Sequence, residues 1–145
     1  MPVFVDTNVL LYARDVSEPD KQPRARDWMD ALWEGRSGRL SAQVLNEFYV
    51  VATQKLSPGL PVAEARLDVR DLTSWRPLAL DGSLMEEAWS LQDRHPLSFW
   101  DSLVVAAANR LSCEYLLSED FQDGYDFGPT RVVNPFLHRP DELDQ

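Results

Sequence analysis

Short apolar runs alternate with longer amphipathic stretches along this chain. Pro2 to Val5 is apolar and rich in branched residues, the pattern of a strand buried on both faces. A short helix is predicted over Thr7 to Ala13. Between Asp20 and Glu34, Ala25, Trp28, Met29, Leu32 and Trp33 recur at helical spacing, and Gly35 marks the stop. Arg39-Leu40 fits a very short strand. Ser41 caps a third helix that runs to Gln54 and is striped by Val44, Leu45, Phe48 and Val51. Ser57-Pro58-Gly59 breaks the chain. Pro61 opens a fourth helix to Leu72, with Val62, Ala65, Val69 and Leu72 aligned. Pro77 to Leu80 reads as a third strand. Asp81 caps a fifth helix to Gln92, aligned through Leu84, Ala88 and Leu91, and His95-Pro96 ends it. Ser98 caps a sixth helix to Leu111. Glu114 to Leu117 is a strand, Glu119 to Gly128 a loop, and Thr130 to Val133 the last strand.

Strands separated by helices predict βαβ units: an α/β fold with a parallel sheet, right-handed crossovers and helices on both faces. A chain of 145 residues suits one domain around one core. The expected division is a folded unit over residues 1–136 and a polar tail, 137–145, that frays. Ligands of such sheets bind outside the carboxyl ends of the strands, so the acids placed there matter most.

Asp6 directly follows the first strand. It can serve as a helix N-cap, but Thr7 and Asn8 can do that too. Asp101 is the most informative acid. At about 100° per residue it shares a helix side with Val104, Val105, Ala107, Ala108 and Leu111. A carboxylate facing a core must be paired, neutralised or bound to a cation, and no Lys or Arg lies one turn away on that side. Its plainer role is structural, since Ser98 to Asp101 has capping-box spacing. Glu47 borders the stripe of the third helix. Asp120 lies just past the strand ending at Leu117, in a loop it shares with Glu119 and Asp123, either of which could replace or join it. Carboxylates converging without cations repel one another. Their hard oxygen atoms suit Mg²⁺ or Mn²⁺, and no His/Cys set is present for zinc.

Composition pulls the other way. The net charge is −10, whereas proteins that grip nucleic acid usually show a basic face; taken alone it favours a domain without a nucleic-acid partner. Arg14, Lys21, Arg24 and Arg26 cluster in sequence and read first as a solvated helix face. Trp28, Trp33 and Trp89 read as core or subunit contacts rather than stacking platforms. His95 and His138, beside prolines, receive no role. The single cysteine, Cys113, fits a reducing compartment. The N-terminus lacks a basic leader and the longest purely apolar run is six residues, Leu103 to Ala108, so a cytoplasmic protein with no membrane span is expected.

Val5-Asp6-Thr7-Asn8, Asn46-Glu47, Ser98-Phe99-Trp100-Asp101-Ser102 and Leu116-Leu117-Ser118-Glu119-Asp120 together resemble the motifs of PIN-domain nucleases. The short single-domain form is similar to VapC-type toxins of type II toxin–antitoxin pairs. The resemblance implies a three-layer α/β/α fold with a five-stranded parallel sheet. It implies Mg²⁺- or Mn²⁺-dependent endoribonuclease action, with Asp6, Glu47, Asp101 and Asp120 as catalytic and metal-holding acids. Thr7 or Asn8, Ser102 and Ser118 would be supporting hydrogen-bonders, and Asp123 a possible fifth acid. RNA substrate, a cognate antitoxin protein and a homodimer follow as implied partners. Two other readings are a PIN-like module that binds a protein without cutting, and a small phosphatase. The second usually needs an Asp two residues after the first, where this chain has Asn8.

Overall fold

The computed structural model describes residues 1–144; Gln145, the last residue of the expected tail, lies outside the described residues. The chain forms β1 (Val3–Val5), α1 (Thr7–Arg14), α2 (Lys21–Gly35), β2 (Gly38–Arg39), α3 (Ala42–Gln54), α4 (Val62–Leu72), α5 (Gly82–Arg94), α6 (Phe99–Arg110), β3 (Tyr115–Leu117), β4 (Asp126–Phe127) and β5 (Thr130–Val133). All six helices fall where the apolar spacing predicts them. The predicted caps Ser41, Asp81 and Ser98 accept from Val44, Leu84 and Asp101 backbone N–H groups respectively.

The sheet has the order β2-β1-β3-β5-β4. β1 pairs in parallel with both β2 and β3, and β3 with β5. Every residue of β1 is buried, as its unbroken apolar pattern requires. From β1 the chain crosses to β2 on one side and later returns to β3 on the other. The strand order therefore switches between β1 and β3, and the crevice outside their carboxyl ends is where a ligand site belongs in an open α/β sheet. Helices flank the sheet, α1 packing against α2 and α3, α3 against α4, and α5 against α6, which gives the three-layer α/β/α architecture.

Two strand assignments need correction. Pro77 to Leu80 is not a sheet strand. Only Leu78 makes a bridge, to Ser41, through Leu78 N–H to the Leu40 carbonyl and Ala42 N–H to the Leu78 carbonyl. Pro77 has no N–H to add to a ladder, and the Asp81 cap turns the chain into α5 immediately afterwards. Conversely, the expected loop contains β4, antiparallel to β5 across the Gly128-Pro129 turn. The five-stranded sheet is thus mixed rather than wholly parallel. Gly128 takes the left-handed backbone that this turn needs (φ 64°), and Arg131 pairs across the hairpin with Asp126.

Gly35 is the last residue of α2, and the left-handed position that ends the helix falls on Arg36 (φ 54°). The tail does not fray as expected over its described part. Pro140–Asp144 forms a 3-10 turn, and Leu143 packs against the core. The carbonyl of His138 accepts from Trp28 and Arg24, and its ring joins Asp123 to Glu142. His95 also has structural partners, the Tyr125 hydroxyl and the Phe127 ring.

Gly38 in β2 is a point of close approach. A Cβ there would overlap the ring of Trp75, which leans over the strand. Gly38→Ala should therefore overpack this edge and cost about 1–3 kcal/mol of stability. Chemical denaturation checks this; an unchanged midpoint would show that Trp75 swings away freely.

Candidate active site

Asp6 is the N-cap of α1 and is only 6% exposed. Strand β1 ends in the middle of the sheet, so the next residue meets the crevice before it can reach solvent. One carboxylate oxygen of Asp6, Oδ1, accepts from Thr7 N–H at 2.8 Å. The other, Oδ2, accepts from the Ser118 hydroxyl at 2.8 Å and from Asn8 Nδ2 at 3.3 Å. Ser118 directly follows β3 and is fully buried. The parallel β1–β3 register, Val5 opposite Leu117, is what sets Asp6 beside it.

Asp120 is joined to this pair. Its backbone N–H donates to Ser118 Oγ at 3.1 Å, and its Oδ2 accepts from Asn8 Nδ2 at 3.2 Å. Asn8 is therefore a neutral bridge between two carboxylates. Glu47 approaches from α3. Its Oε2 accepts from the Thr7 hydroxyl at 2.9 Å and its Oε1 from Gln43 Nε2 at 3.1 Å. Asp101 stands in the first turn of α6, half-buried.

Asp6 and Asp101 each feel the charges of Asp120 and Glu47. Burial pushes Asp6 from 3.8 up to about 7; hydrogen bonds from Ser118 and Thr7 oppose the rise, and the charges of Asp120 and Glu47 add to it. Burial also raises Asp101, against the pull of Ser98, and the charges of Asp120 and Glu47 again reinforce the rise.

The three acids of the loop after β3 have different surroundings. Glu119 is taken by Lys21, at 2.9 Å, and by the Tyr12 hydroxyl. Asp123 accepts from Asn134 N–H and His138, both at 2.8 Å; burial alone would raise its pKa, but these two bonds outweigh it and hold the group low. Asp120 alone of the three accepts from Asn8, beside Asp6, through its side-chain carboxylate. Thr7, Asn8 and Ser118 all support the acids. Ser102 does not: its hydroxyl donates to the Ser98 carbonyl within α6. The helical-wheel argument for Asp101 also needs revision. Ser102 to Ala108 are all buried, so α6 has no distinct stripe for Asp101 to join. Its significance comes from the helix end, which opens on the crevice. Gln43, which holds Glu47, was not among the sequence candidates; its one-turn spacing from Glu47 was the available signal.

Among the described residues, no three His, Cys, Asp or Glu side chains form a ready-made metal cage. The donor chemistry nonetheless suits a hard divalent cation. The acids offer only oxygen, and Asp6 is a buried carboxylate with neutral hydrogen-bond donors and two raising acid charges around it. The basic cluster of α1 and α2 is turned to structural uses. Arg14 pairs with Asp68 and Glu64, Lys21 with Glu119, and Arg24 and Arg26 donate to backbone carbonyls. A cavity of about 870 Å³ between these helices and α4 contains none of the four acids.

The buried acid has a thermodynamic signature. Unfolded, Asp6 loses its proton near 3.8; folded, near 7. The fold therefore loses stability as pH rises between those values, and the loss persists above them. Asp6→Asn abolishes this titration. In chelator at pH 8 the variant should be more stable than the parent by about 2–4 kcal/mol, the upper figure being three pKa units at about 1.4 kcal/mol each. Below about pH 4 the gain should vanish. Urea midpoints at the two pH values check it, and no gain at pH 8 would show that Asp6 ionises freely.

Comparison with known proteins bears on the fold. No curated protein sequence matches the chain. Solved structures do match its fold. FitAB bound to an IR36 DNA fragment superposes with a TM-score of 0.71 at 19% identity, over 92% of this chain and 95% of that one. VapC20 of Mycobacterium tuberculosis, a toxin that cleaves the sarcin-ricin loop, gives 0.63 at 22% identity, over 89% and 98%. FitAcB of Neisseria gonorrhoeae gives 0.60 at 18% identity, over 92% and 98%. The PIN domain family model matches residues 3–122, which span β1 through the acidic loop after β3, and the chain belongs to that family.

Proposed function

We propose that this protein is a metal-dependent endoribonuclease, the toxin of a type II toxin–antitoxin pair, acting in the cytoplasm. The observation that carries this reading is Asp6: a buried carboxylate in the switch-point crevice, its charge opposed by burial and by two more acids. The fold likeness to a sarcin-ricin loop cleaving toxin supports RNA as substrate. No helix of the described residues is long and apolar enough to cross a membrane.

Asp6, Asp101 and Asp120 would hold Mg²⁺ or Mn²⁺. When bound, such a cation polarises a phosphodiester and makes water more acidic. Ser118 keeps Asp6 oriented by donating to Oδ2, and Asn8 sets the spacing between Asp6 and Asp120. Glu47, anchored by Thr7 and Gln43, is the residue suited to orient the attacking water and accept its proton. No covalent nucleophile is needed. The inhibitor partner would be a cognate antitoxin whose segment enters the crevice with an arginine, because a guanidinium pairs with carboxylates in a planar, bidentate way. A homodimer is the proposed assembly.

A second reading has one observation in its favour. The lack of a ready-made cage among the described acids suits a PIN-like module that binds a partner without cutting. Metal titration separates the two, because a site that takes no divalent cation belongs to the second.

The nuclease reading is tested with purified protein and RNA. Asp6→Asn and Asp101→Asn should each lower Mg²⁺- or Mn²⁺-dependent cleavage by at least about 100-fold while remaining folded; cleavage retained by both sinks the assignment. Protons compete with the metal for Asp6. Apparent metal affinity should therefore rise steeply from pH 5.5 towards about 7, the pKa of Asp6, and flatten above it. Calorimetric titration across that range checks the profile.

A further inference from the structure

Beside Glu47 lies a second concavity, of about 450 Å³, lined by Ala42, Gln43, Asn46, Glu47, Leu80 and Trp100. Its wall is mainly apolar side chain, yet it is open to solvent. Trp100 is 60% exposed and Leu80 is 49% exposed. Together these side chains leave a contiguous apolar patch open to solvent, the kind of surface that marks a binding site. The Trp100 ring is braced edge-on by Phe99, with centroids 5.5 Å apart and planes at 68°. Its backbone carbonyl accepts from Gln43 Nε2 at 3.3 Å, and the same amide nitrogen donates to Glu47 Oε1. The hollow and the acid cluster thus share Glu47 and Gln43, and Trp100 immediately precedes Asp101.

We propose that this hollow is a base-binding subsite, in which one unpaired base of a single-stranded RNA stacks on Trp100 beside the phosphate to be cut. The proposal rests on the nuclease reading for its ligand. Three features select a base as occupant. The space is continuous with Glu47, so its occupant lies next to the reacting phosphate. A braced indole face opposite an aliphatic side chain is a stacking platform that accepts any base. The amide of Asn46, which is exposed, and the remaining carbonyl oxygen of Gln43 can meet the hydrogen-bonding edge of an unpaired base. Charge argues the same way. A chain of net charge −10 gains little from phosphate contacts, so affinity for RNA must come from contacts that do not depend on counterion release.

The test is equilibrium binding of a fluorescein-labelled single-stranded ten-nucleotide RNA of mixed sequence, about the length one small domain covers, in EDTA so that cleavage does not intervene. Anisotropy would be measured for the parent, Trp100→Ala, Trp100→Phe and Asp101→Asn. Trp100→Ala should weaken binding about 5- to 150-fold, the range for losing one stacked base. Trp100→Phe should restore most of it. The deficit should stay nearly constant between about 50 and 200 mM salt, because stacking releases no counterions. The duplex form of the same RNA should bind parent and Trp100→Ala alike. Absence of binding by the parent, or equal binding by Trp100→Ala, overturns the subsite. It is also overturned if Trp100→Ala loses RNA only as it passes from dimer to monomer in sedimentation, since the surface then joins two copies of the chain. Asp101→Asn, assayed beside the parent for cleavage with Mg²⁺ or Mn²⁺, keeps the two claims apart: if neither cleaves RNA but Trp100 still governs binding, the subsite stands and the nuclease reading fails.

Discussion

The burial of a single carboxylate at the end of the central strand organises this site. Asp6 can sit there only because three neutral donors meet it: the first N–H of α1, the amide of Asn8 and the hydroxyl of Ser118 just past the adjacent strand. The serine contact depends on the parallel register of β1 and β3. A slip of one residue would turn every side chain of β1 to the opposite face and leave the carboxylate without the serine. Hydrogen bonding offsets only part of the desolvation, which is why Asp6 is held near 7 rather than returned to its ordinary range. A carboxylate in that state has most to gain from a cation, and least reason to exist in a fold without one.

The surrounding acids differ by what else they touch. Glu119, Asp120 and Asp123 lie within five residues of one another, and any of them looks equally suited in the sequence. Their fates are decided by groups remote in the chain. Lys21 and Tyr12 neutralise Glu119. Asn134 and His138 hold Asp123. Asp120 meets Asn8, across 112 positions of sequence. His138, 15 positions from Asp123, ties the last turn to the acidic loop, a contact that no local pattern encodes.

What the sequence makes legible follows from the range of the forces involved. Helices α1 to α6 are visible because apolar spacing and Ser or Asp caps are local, and β1 because burial on both faces leaves an unbroken apolar run. Strand β4 is two residues long inside a glycine-containing loop, and only its pairing with β5 makes it a strand. Pro77 to Leu80 shows the reverse failure, since its apolar run serves one bridge rather than a ladder. At the site, Asp6 was readable from its place after a buried strand. A stripe is an incomplete reason for Asp101: Ser102 to Ala108 of α6 are all buried, and what marks the acid in the first turn is that it feels the charges of Asp120 and Glu47. Glu47 owes its position to Thr7 and Gln43, a contact between α1 and α3 that no local pattern encodes.

The acidic total then bears on what kind of RNA such a site can select. Acids outnumber cations, 24 to 14, and four of the cations are paired: Arg14 on α4, Lys21 on the loop acid, Arg110 on α5, Arg131 across the hairpin. Long-range attraction is therefore weak, and bringing four acids to a phosphate adds repulsion. A regular duplex offers mainly phosphates and sugars to such a surface and buries its bases. An unpaired segment offers base faces, and Trp100 and Leu80 present apolar area to receive them next to the acids. On the nuclease reading, the negative charge works as a filter rather than a defect. It discourages non-specific adhesion to bulk RNA and leaves discrimination to short-range contacts that only an opened strand can make.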